Sequence, residues 1–113
     1  MPTTTTLPGA REEVKEVFAP MYHVVLLDDD EHTYEYVIEM LQTLFLLSRD
    51  RAYRHAVEVD SSSRTIVLTA DLPVASYARD QIHGYGADWR IPKSKGSMSA
   101  ILEPACSPGG QAA

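Results

Sequence analysis

A short apolar run that stops at four consecutive acidic residues, with helical spacing beyond them, is the sequence feature that most constrains the fold. Residues 22–27 are rich in β-branched and aromatic side chains, which is typical of a short buried strand. The acidic run of residues 28–31 ends this strand. Beyond it, apolar residues recur at i, i+3, i+4, i+7 and i+8, as they do along one face of a helix: Val37, Met40, Leu41, Leu44 and Phe45.

Capping residues extend this pattern into a pair of helices. Thr33 and Ser48 belong to the residue types that favour helix N-caps, and each precedes an apolar helical pattern. In the second helix, Ala52, Ala56 and Val59 share one face, which predicts the side that packs on the core. The sequence therefore predicts two consecutive helices after the first strand.

The second half of the chain predicts a strand, a helix and a last strand. Residues 61–63 are serines that predict a turn, and residues 64–69 predict the second strand. Asp71 can cap a third helix, and residues 97–102 predict the last strand. The third helix has four residues on its expected inner face: Val74, Ala78, Ile82 and Tyr85. The predicted order is β-α-α-β-α-β, an α+β domain in which three helices cover one face of a three-stranded antiparallel sheet.

Composition divides the chain into one domain and two terminal segments. Residues 1–20 predict a flexible N-terminal extension, residues 21–105 the domain, and residues 106–113 a disordered tail. The single cysteine, Cys106, cannot form an internal disulfide, which is consistent with a reducing compartment. No run approaches the roughly 18 apolar residues of a membrane-spanning helix, and no secretory signal is visible. We expect a soluble, cytoplasmic monomer without membrane contact.

The acidic charge of the chain is concentrated in one third of it. The net charge of −6 argues against nucleic acid as a partner. Residues 22–60 hold nine acidic residues and three arginines, so this segment carries the whole net negative charge. A cationic partner would be attracted to it. No nucleophile and base are spaced for catalysis, so we do not expect an enzyme.

The acidic run has four competing interpretations. The first is a solvated acidic turn. The second is a Mg²⁺ or Ca²⁺ site, but EF-hand spacing is absent and the histidines share no ligand spacing, so we expect no metal and no cofactor. The histidines are His23, His32, His55 and His83. The third is a receiver domain, which two successive helices and the short remainder after Asp71 exclude. The fourth is a site for an ammonium group beside an apolar pocket.

The strand, acidic run and first helix resemble the signature of the ClpS family. That signature is a Tyr-x-Val strand, an Asn-Asp-Asp turn and a helix that opens with Glu-Phe/Tyr-Val. Here residues 21–30 read MYHVVLLDDD and residues 35–42 read EYVIEMLQ. The likeness continues at Arg51-Ala52, Thr69-Ala70-Asp71 and Leu102-Glu103. Members are bacterial adaptors of ClpA or ClpC AAA+ unfoldases, so the resemblance implies a non-enzymatic adaptor that recognises N-degrons, with three strands backed by three helices.

The resemblance implies that the acidic run binds the α-amino group of a substrate's first residue. The turn aspartates of the family match Asp29 and Asp30. Asp28 stands where the family has an asparagine, and Asp60 stands where it has a histidine at the end of the second helix. We expect these four aspartates to form the amino-group site, which is then more anionic than the family's own.

An apolar pocket for the first side chain is also implied by the resemblance. The residues expected there are Tyr34, Val37, Met40, Ala56, Val59 and Met98. Tyr34 replaces a gatekeeper methionine of the family, and Ala56 replaces a bulky methionine of its close relatives. We expect a wider pocket with Tyr34 as a lid, which favours large aromatic first residues.

A contact with the N-domain of the unfoldase is implied for Asp71, where the family has an acid at the start of the third helix. Structural roles compete with these assignments: Tyr34 as a cover on the first helix, Ala56 as helix packing, and Asp60 and Asp71 as caps. The alternative function is a divergent adaptor that docks on the unfoldase and modulates it without reading N-degrons. The missing histidine favours this alternative.

Overall fold

The structure, a computed structural model, describes residues 20–105 of the chain. The elements are β1 (Met21–Leu27), α1 (Tyr34–Phe45), α2 (Arg49–Ser62), β2 (Arg64–Asp71), α3 (Leu72–His83) and β3 (Ala100–Pro104). Their order, β-α-α-β-α-β, confirms the predicted fold class. The predicted N-terminal extension, apart from Pro20, and the predicted C-terminal tail with Cys106 lie outside the described residues.

The three strands form one antiparallel sheet in the order β2-β1-β3. Strand β1 is central because both neighbours pair with it, and Val24 lies opposite Leu68 on β2 and Leu102 on β3. The middle residues of β1, Val24, Val25 and Leu26, have no exposed surface. The acidic run therefore leaves the sheet at the end of its most buried strand.

Side-chain caps begin all three helices where the sequence predicted them. Thr33, Ser48 and Asp71 each accept a hydrogen bond from the backbone N–H three residues further on, at 3.1–3.2 Å. Such a bond satisfies one of the N–H groups that the first turn of a helix leaves without a partner. The Thr33 cap, two residues after the acidic run, fixes where α1 begins.

The end of α2 differs from the prediction. The serines of residues 61–63 were predicted to form a turn, but the helix continues through Ser62. The side chain of Ser61 donates a hydrogen bond to the carbonyl of Val57, four residues back, at 2.9 Å. This bond satisfies the hydroxyl inside the helix. Only Ser63, with a φ of 72°, turns the chain, so Asp60 lies in the last turn of a longer helix.

Two further predictions are corrected by packing. In α3 the side chain of Ala75 faces the core, whereas Val74, predicted on the inner face, is about half exposed. The last strand begins at Ala100 rather than at residue 97, and it includes Pro104. Because β3 lies at the edge of the sheet, a proline there need not break an interior ladder.

The segment between α3 and β3 folds back over the start of α1. The hydroxyl of Tyr36 donates to the carbonyl of Gly86, and Met98 is buried in the core near the end of this segment. The end of β1, the start of α1, the end of α2 and this segment therefore meet in one place. Among the helices of residues 20–105, none is both long and apolar enough to cross a membrane.

Candidate functional site: an acidic cleft at the end of β1

A cleft of about 60 Å³ opens where these four parts of the chain meet. Backbone hydrogen bonds fix its base: Leu27 donates to the carbonyl of Ser99, and Asp28 donates to that of Ser63, both at 3.0 Å. The residues that line the cleft are Asp28, Asp29, His32, Thr33, Tyr34, Val37, Ala56, Val59, Asp60 and Met98. Eight of the ten residues predicted for the amino-group site and the pocket are among them.

Three carboxylates line the cleft. Asp28 and Asp29 come from the acidic run, and Asp60 comes from the last turn of α2. Partial desolvation and the negative charges of Asp60, Asp29 and Asp30 raise the pKa of Asp28, although a hydrogen bond from the Asp29 backbone lowers it in part. Carboxylates this close disfavour one another's ionised form. The cleft therefore has an electrostatic preference for a cation.

The hydroxyl of Tyr34 closes one side of the cleft. It donates a hydrogen bond of 2.6 Å to Oδ2 of Asp60, which joins the start of α1 to the end of α2. This bond to a carboxylate raises the pKa of Tyr34, and partial desolvation adds to the shift. The ring also lies against that of Tyr53, with centroids 6.1 Å apart. Tyr34 is 38% exposed, so the side chain has solvent on its outer face.

His32 holds the carboxylate of Asp29 in place. Nδ1 of the His32 ring lies 2.8 and 2.9 Å from the two carboxylate oxygens of Asp29, and Nε2 lies 2.7 Å from the carbonyl of Gly96. The backbone N–H of Glu31 donates to the same Asp29 carboxylate at 2.8 Å. The sequence did not predict the position of His32 in the cleft wall.

The floor of the cleft is apolar and comes from three elements. Val37 belongs to α1, Ala56 and Val59 to α2, and Met98 to the segment before β3. All four are buried. Because Ala56 has only a methyl side chain, the floor is not filled by the long side chain that a methionine would place there.

Three predicted residues lie elsewhere. Asp30 points into solvent, with a side chain 87% exposed, and its carboxylate lies 3.5 Å from the ammonium of Lys93. Met40 has no exposed surface and belongs to the core, not to the cleft wall. Asp71 caps α3 and pairs with Met21, at the opposite end of β1 from the cleft.

A buried carboxylate that the sequence did not reveal stabilises the start of α1, which forms part of the cleft wall. Asp88 is 1% exposed, and its Oδ2 accepts hydrogen bonds from the backbone N–H and the hydroxyl of Thr33, at 2.7 and 2.8 Å. Its Oδ1 accepts from Arg90, through the backbone N–H at 3.0 Å and the guanidinium at 3.1 Å. Burial acts to raise the pKa of Asp88, but these hydrogen bonds outweigh burial and lower it. The available signal was an acidic residue placed just before three basic ones, Arg90, Lys93 and Lys95.

The described residues bring together no group of three or more His, Cys, Asp or Glu side chains that could hold a metal ion. The cleft instead offers hydrogen-bond acceptors with negative charge beside a small apolar surface. Such a site can bind a group that is cationic at one end and apolar at the other.

Comparison with known proteins agrees with this architecture. The family model of the ATP-dependent Clp protease adaptor protein ClpS matches residues 18–90. The ClpS of a Synechococcus strain is 31% identical over 84 residues, which cover 74% of this chain and 92% of that protein. The ClpS of Nautilia profundicola is 29% identical over 83 residues, which cover 74% of this chain and 82% of that protein.

A solved structure shows the same fold. ClpS2 of Agrobacterium tumefaciens bound to L-phenylalaninamide superimposes with a TM-score of 0.65, at 22% sequence identity, over 76% of this chain and 98% of that one. The family match covers more than half of the chain and includes the acidic run and both helices that wall the cleft. This chain therefore belongs to the ClpS family of Clp protease adaptor proteins.

Proposed function

We propose that this adaptor binds the N-terminal residue of substrate proteins in the acidic cleft and delivers those proteins to a Clp AAA+ unfoldase. The observation that carries the proposal is the pairing of three carboxylates, Asp28, Asp29 and Asp60, with a small apolar floor in one cleft. A first residue presents the matching pair, because its α-amino group is cationic and its side chain extends from the adjacent carbon.

The α-amino group is the cation that the carboxylates would bind. Its pKa is about 7.7–8.0, so it is largely charged at neutral pH. An internal residue offers only a neutral amide in its place, and charge-assisted hydrogen bonds to carboxylates are about twice as strong as neutral ones. The pKa of Asp28 is raised by partial desolvation and by the neighbouring carboxylates, and an ammonium would relieve the repulsion that these carboxylates contribute. Asp30, exposed nearby, would add attraction at longer range.

An aromatic first side chain would require Tyr34 to move. While Tyr34 is bonded to Asp60, the cleft has a volume of about 60 Å³. This is smaller than the roughly 150 Å³ cavity that holds a benzene ring. Rotation of Tyr34 away from Asp60 would enlarge the space above Val37 and Ala56 and release the Asp60 carboxylate at the same time. The incoming ammonium would then replace the hydroxyl as the partner of Asp60. The ligand of the Agrobacterium tumefaciens protein, L-phenylalaninamide, supports the idea, since it has a benzyl side chain beside a free amino group.

Peptides that differ only in their first residue test the proposal. We expect peptides that begin with Trp or Phe to bind the full chain at least about tenfold more tightly than a peptide that begins with Gly, since a buried aromatic side chain contributes roughly 1.5–3 kcal/mol. The Phe peptide with an acetylated amino group serves as the matched control and should not bind. Equal binding of the Phe, Gly and acetylated peptides would disprove recognition of the N-terminal residue.

The alternative function, docking on the unfoldase without reading N-degrons, is favoured by one observation. Asp60 and Asp29 both have internal partners, Tyr34 and His32, so two of the three carboxylates are engaged before any ligand arrives. Under this alternative no peptide binds, with any first residue, while the chain still binds the N-domain of the unfoldase. The peptide series, repeated with and without the unfoldase, separates the two functions.

Contact with the unfoldase would use the opposite end of β1, where Asp71 caps α3 beside two exposed apolar residues, Leu72 and Val74. An Asp71→Asn variant keeps the capping oxygen and loses the charge, so it separates the cap from a charged contact. We expect it to bind the N-domain of the unfoldase a few-fold more weakly at low salt, because exposed ion pairs contribute about 0.2–1 kcal/mol. Unchanged affinity at low salt would leave Asp71 with only its capping role.

A further inference from the structure

The ring of His32 lies between two hydrogen-bond acceptors. Nδ1 faces both carboxylate oxygens of Asp29, at 2.8 and 2.9 Å, and Nε2 faces the carbonyl oxygen of Gly96 at 2.7 Å. The side chain is 3% exposed, so water cannot replace either partner. The ring also packs on Tyr36, with centroids 4.4 Å apart. His32 therefore has one fixed orientation.

These contacts favour a particular placement of the ring protons. A carbonyl oxygen only accepts, so Nε2 must carry a proton to approach Gly96 at 2.7 Å. The hydroxyl of Ser94, 3.4 Å from Nε2, is too far away to take over that role. An ionised Asp29 also only accepts, so Nδ1 must carry a proton as well. A ring with both protons is the imidazolium cation.

We propose that His32 is a positioning residue for N-terminal recognition, held as an imidazolium that fixes the Asp29 carboxylate at the mouth of the cleft. The inference rests on the proposed function and assigns one source of its geometry. Three carboxylates in one cleft repel one another, which favours orientations that point them apart. A buried cation bonded to Asp29 compensates part of that charge and holds Asp29 beside Asp28.

The charge of His32 can be measured without any ligand. In ¹⁵N-labelled full-length protein, the chemical shifts of Nδ1 and Nε2 distinguish protonated from unprotonated ring nitrogens. We expect both nitrogens of His32 to be protonated near neutral pH, and we expect the Asp29→Asn variant to have a neutral His32 ring. A single protonated nitrogen in the unmodified protein would overturn the proposal.

Peptide affinity tests whether His32 acts through Asp29. The His32→Gln variant keeps a polar side chain but loses the cation. We expect it to bind a Phe peptide about tenfold more weakly, which is the usual effect of losing one hydrogen bond to a charged group. Removal of the cation also reduces repulsion of the incoming ammonium, but this recovers only about a few-fold because the mouth is open to water. In an Asp29→Asn background the same change should cost less than about twofold.

His23→Gln is the matched control, since His23 lies on β1, bonds to Thr69 and does not line the cleft. It should bind the peptide as the unmodified protein does. An equal loss from His32→Gln in both backgrounds, or no loss in either, would overturn the positioning role. If the unmodified protein binds no peptide at all, the proposed function fails, whereas the ring shifts still decide the charge of His32.

Discussion

Two aspartates flank the start of α1, and their environments are opposite. Asp88 is buried, and its two oxygens accept hydrogen bonds from Thr33 and Arg90. These bonds lower its pKa despite burial. Asp28 is exposed in the cleft, where partial desolvation and neighbouring carboxylates raise its pKa. The ionised form of aspartate is thus stabilised at Asp88 and destabilised at Asp28.

The difference separates a residue that maintains the fold from one that is available to a ligand. Every strong acceptor position of Asp88 is occupied by the protein itself, so the carboxylate orders the cap of α1 and cannot bind anything else. Asp28 lies among other carboxylates, so its ionised form costs stability that a bound cation would relieve. Local conflicts of this kind are expected at functional sites.

The largest expected effect is on stability, at Asp88. We expect Asp88→Asn to lower the free energy of unfolding by about 3 kcal/mol, because the amide leaves the Arg90 guanidinium without its buried partner and places an N–H group where donors converge. Urea unfolding of the full chain measures this loss. Asp28→Asn is the matched control and should change stability by no more than about 0.5 kcal/mol. Equal effects of the two variants would remove the distinction between the two sites.

The next effect is on affinity, at Asp60. Asp60→Asn should weaken binding of a Phe peptide roughly 10- to 100-fold, since a hydrogen bond to a charged group contributes about 1.5–3 kcal/mol. Asp50→Asn is the control for net charge, because Asp50 lies at the other end of the same helix, exposed and paired with Arg54. It should bind as the unmodified protein does. A similar loss from both variants would mean that only overall charge matters.

A smaller effect of opposite sign is expected at Tyr34. Tyr34→Phe keeps the ring and removes the hydroxyl that engages Asp60, so a Phe peptide should bind up to about fivefold more tightly, which corresponds to about 1 kcal/mol for the bond that no longer has to break. Tyr53→Phe serves as the control, since Tyr53 contacts Tyr34 only through its ring. Isothermal titration calorimetry measures both. Weaker binding by Tyr34→Phe would show that the hydroxyl assists the ligand rather than competing with it.

Features that depend on residues close together in the sequence were predicted, and features that depend on distant contacts were not. Caps and apolar spacing act within four residues, and they predicted the element order and the caps at Thr33, Ser48 and Asp71. The contact of Asp88 with Thr33 spans 55 residues, and that of His32 with Gly96 spans 64, so no local pattern could predict either.

Met40 illustrates a finer difficulty. Met40 and Val37 lie three residues apart on α1 and share one apolar pattern, yet Val37 lines the cleft and Met40 belongs to the core. A spacing of three residues leaves side chains about 60° apart around a helix. Which of the two faces the cleft depends on how α1 packs against α2, and apolar periodicity alone does not fix that rotation.

The smallest effect, and the one with a distinctive sign, is the pH dependence of stability. The folded-state pKa of Asp28 is raised, so its contribution to stability is present below the unfolded value of 3.8 and is lost as pH rises through the folded pKa. The folded-state pKa of Asp88 is lowered, so its contribution is present above 3.8 and is lost as pH falls through the folded pKa.

Unfolding measured between pH 7 and the acid limit of folding should therefore give opposite trends for the two variants. The deficit of Asp88→Asn relative to the unmodified protein should shrink as pH falls, because the unmodified protein loses the contribution that the variant already lacks. Asp28→Asn should be slightly more stable than the unmodified protein at pH 7, by no more than about 0.5 kcal/mol, and should lose that advantage in acid. Asp50→Asn provides the baseline for an exposed aspartate. If the free energy of unfolding varies with pH in the same way for all three variants, the environment of Asp28 does not disfavour its ionised form. The preference of the cleft for a cation would then lose its electrostatic basis.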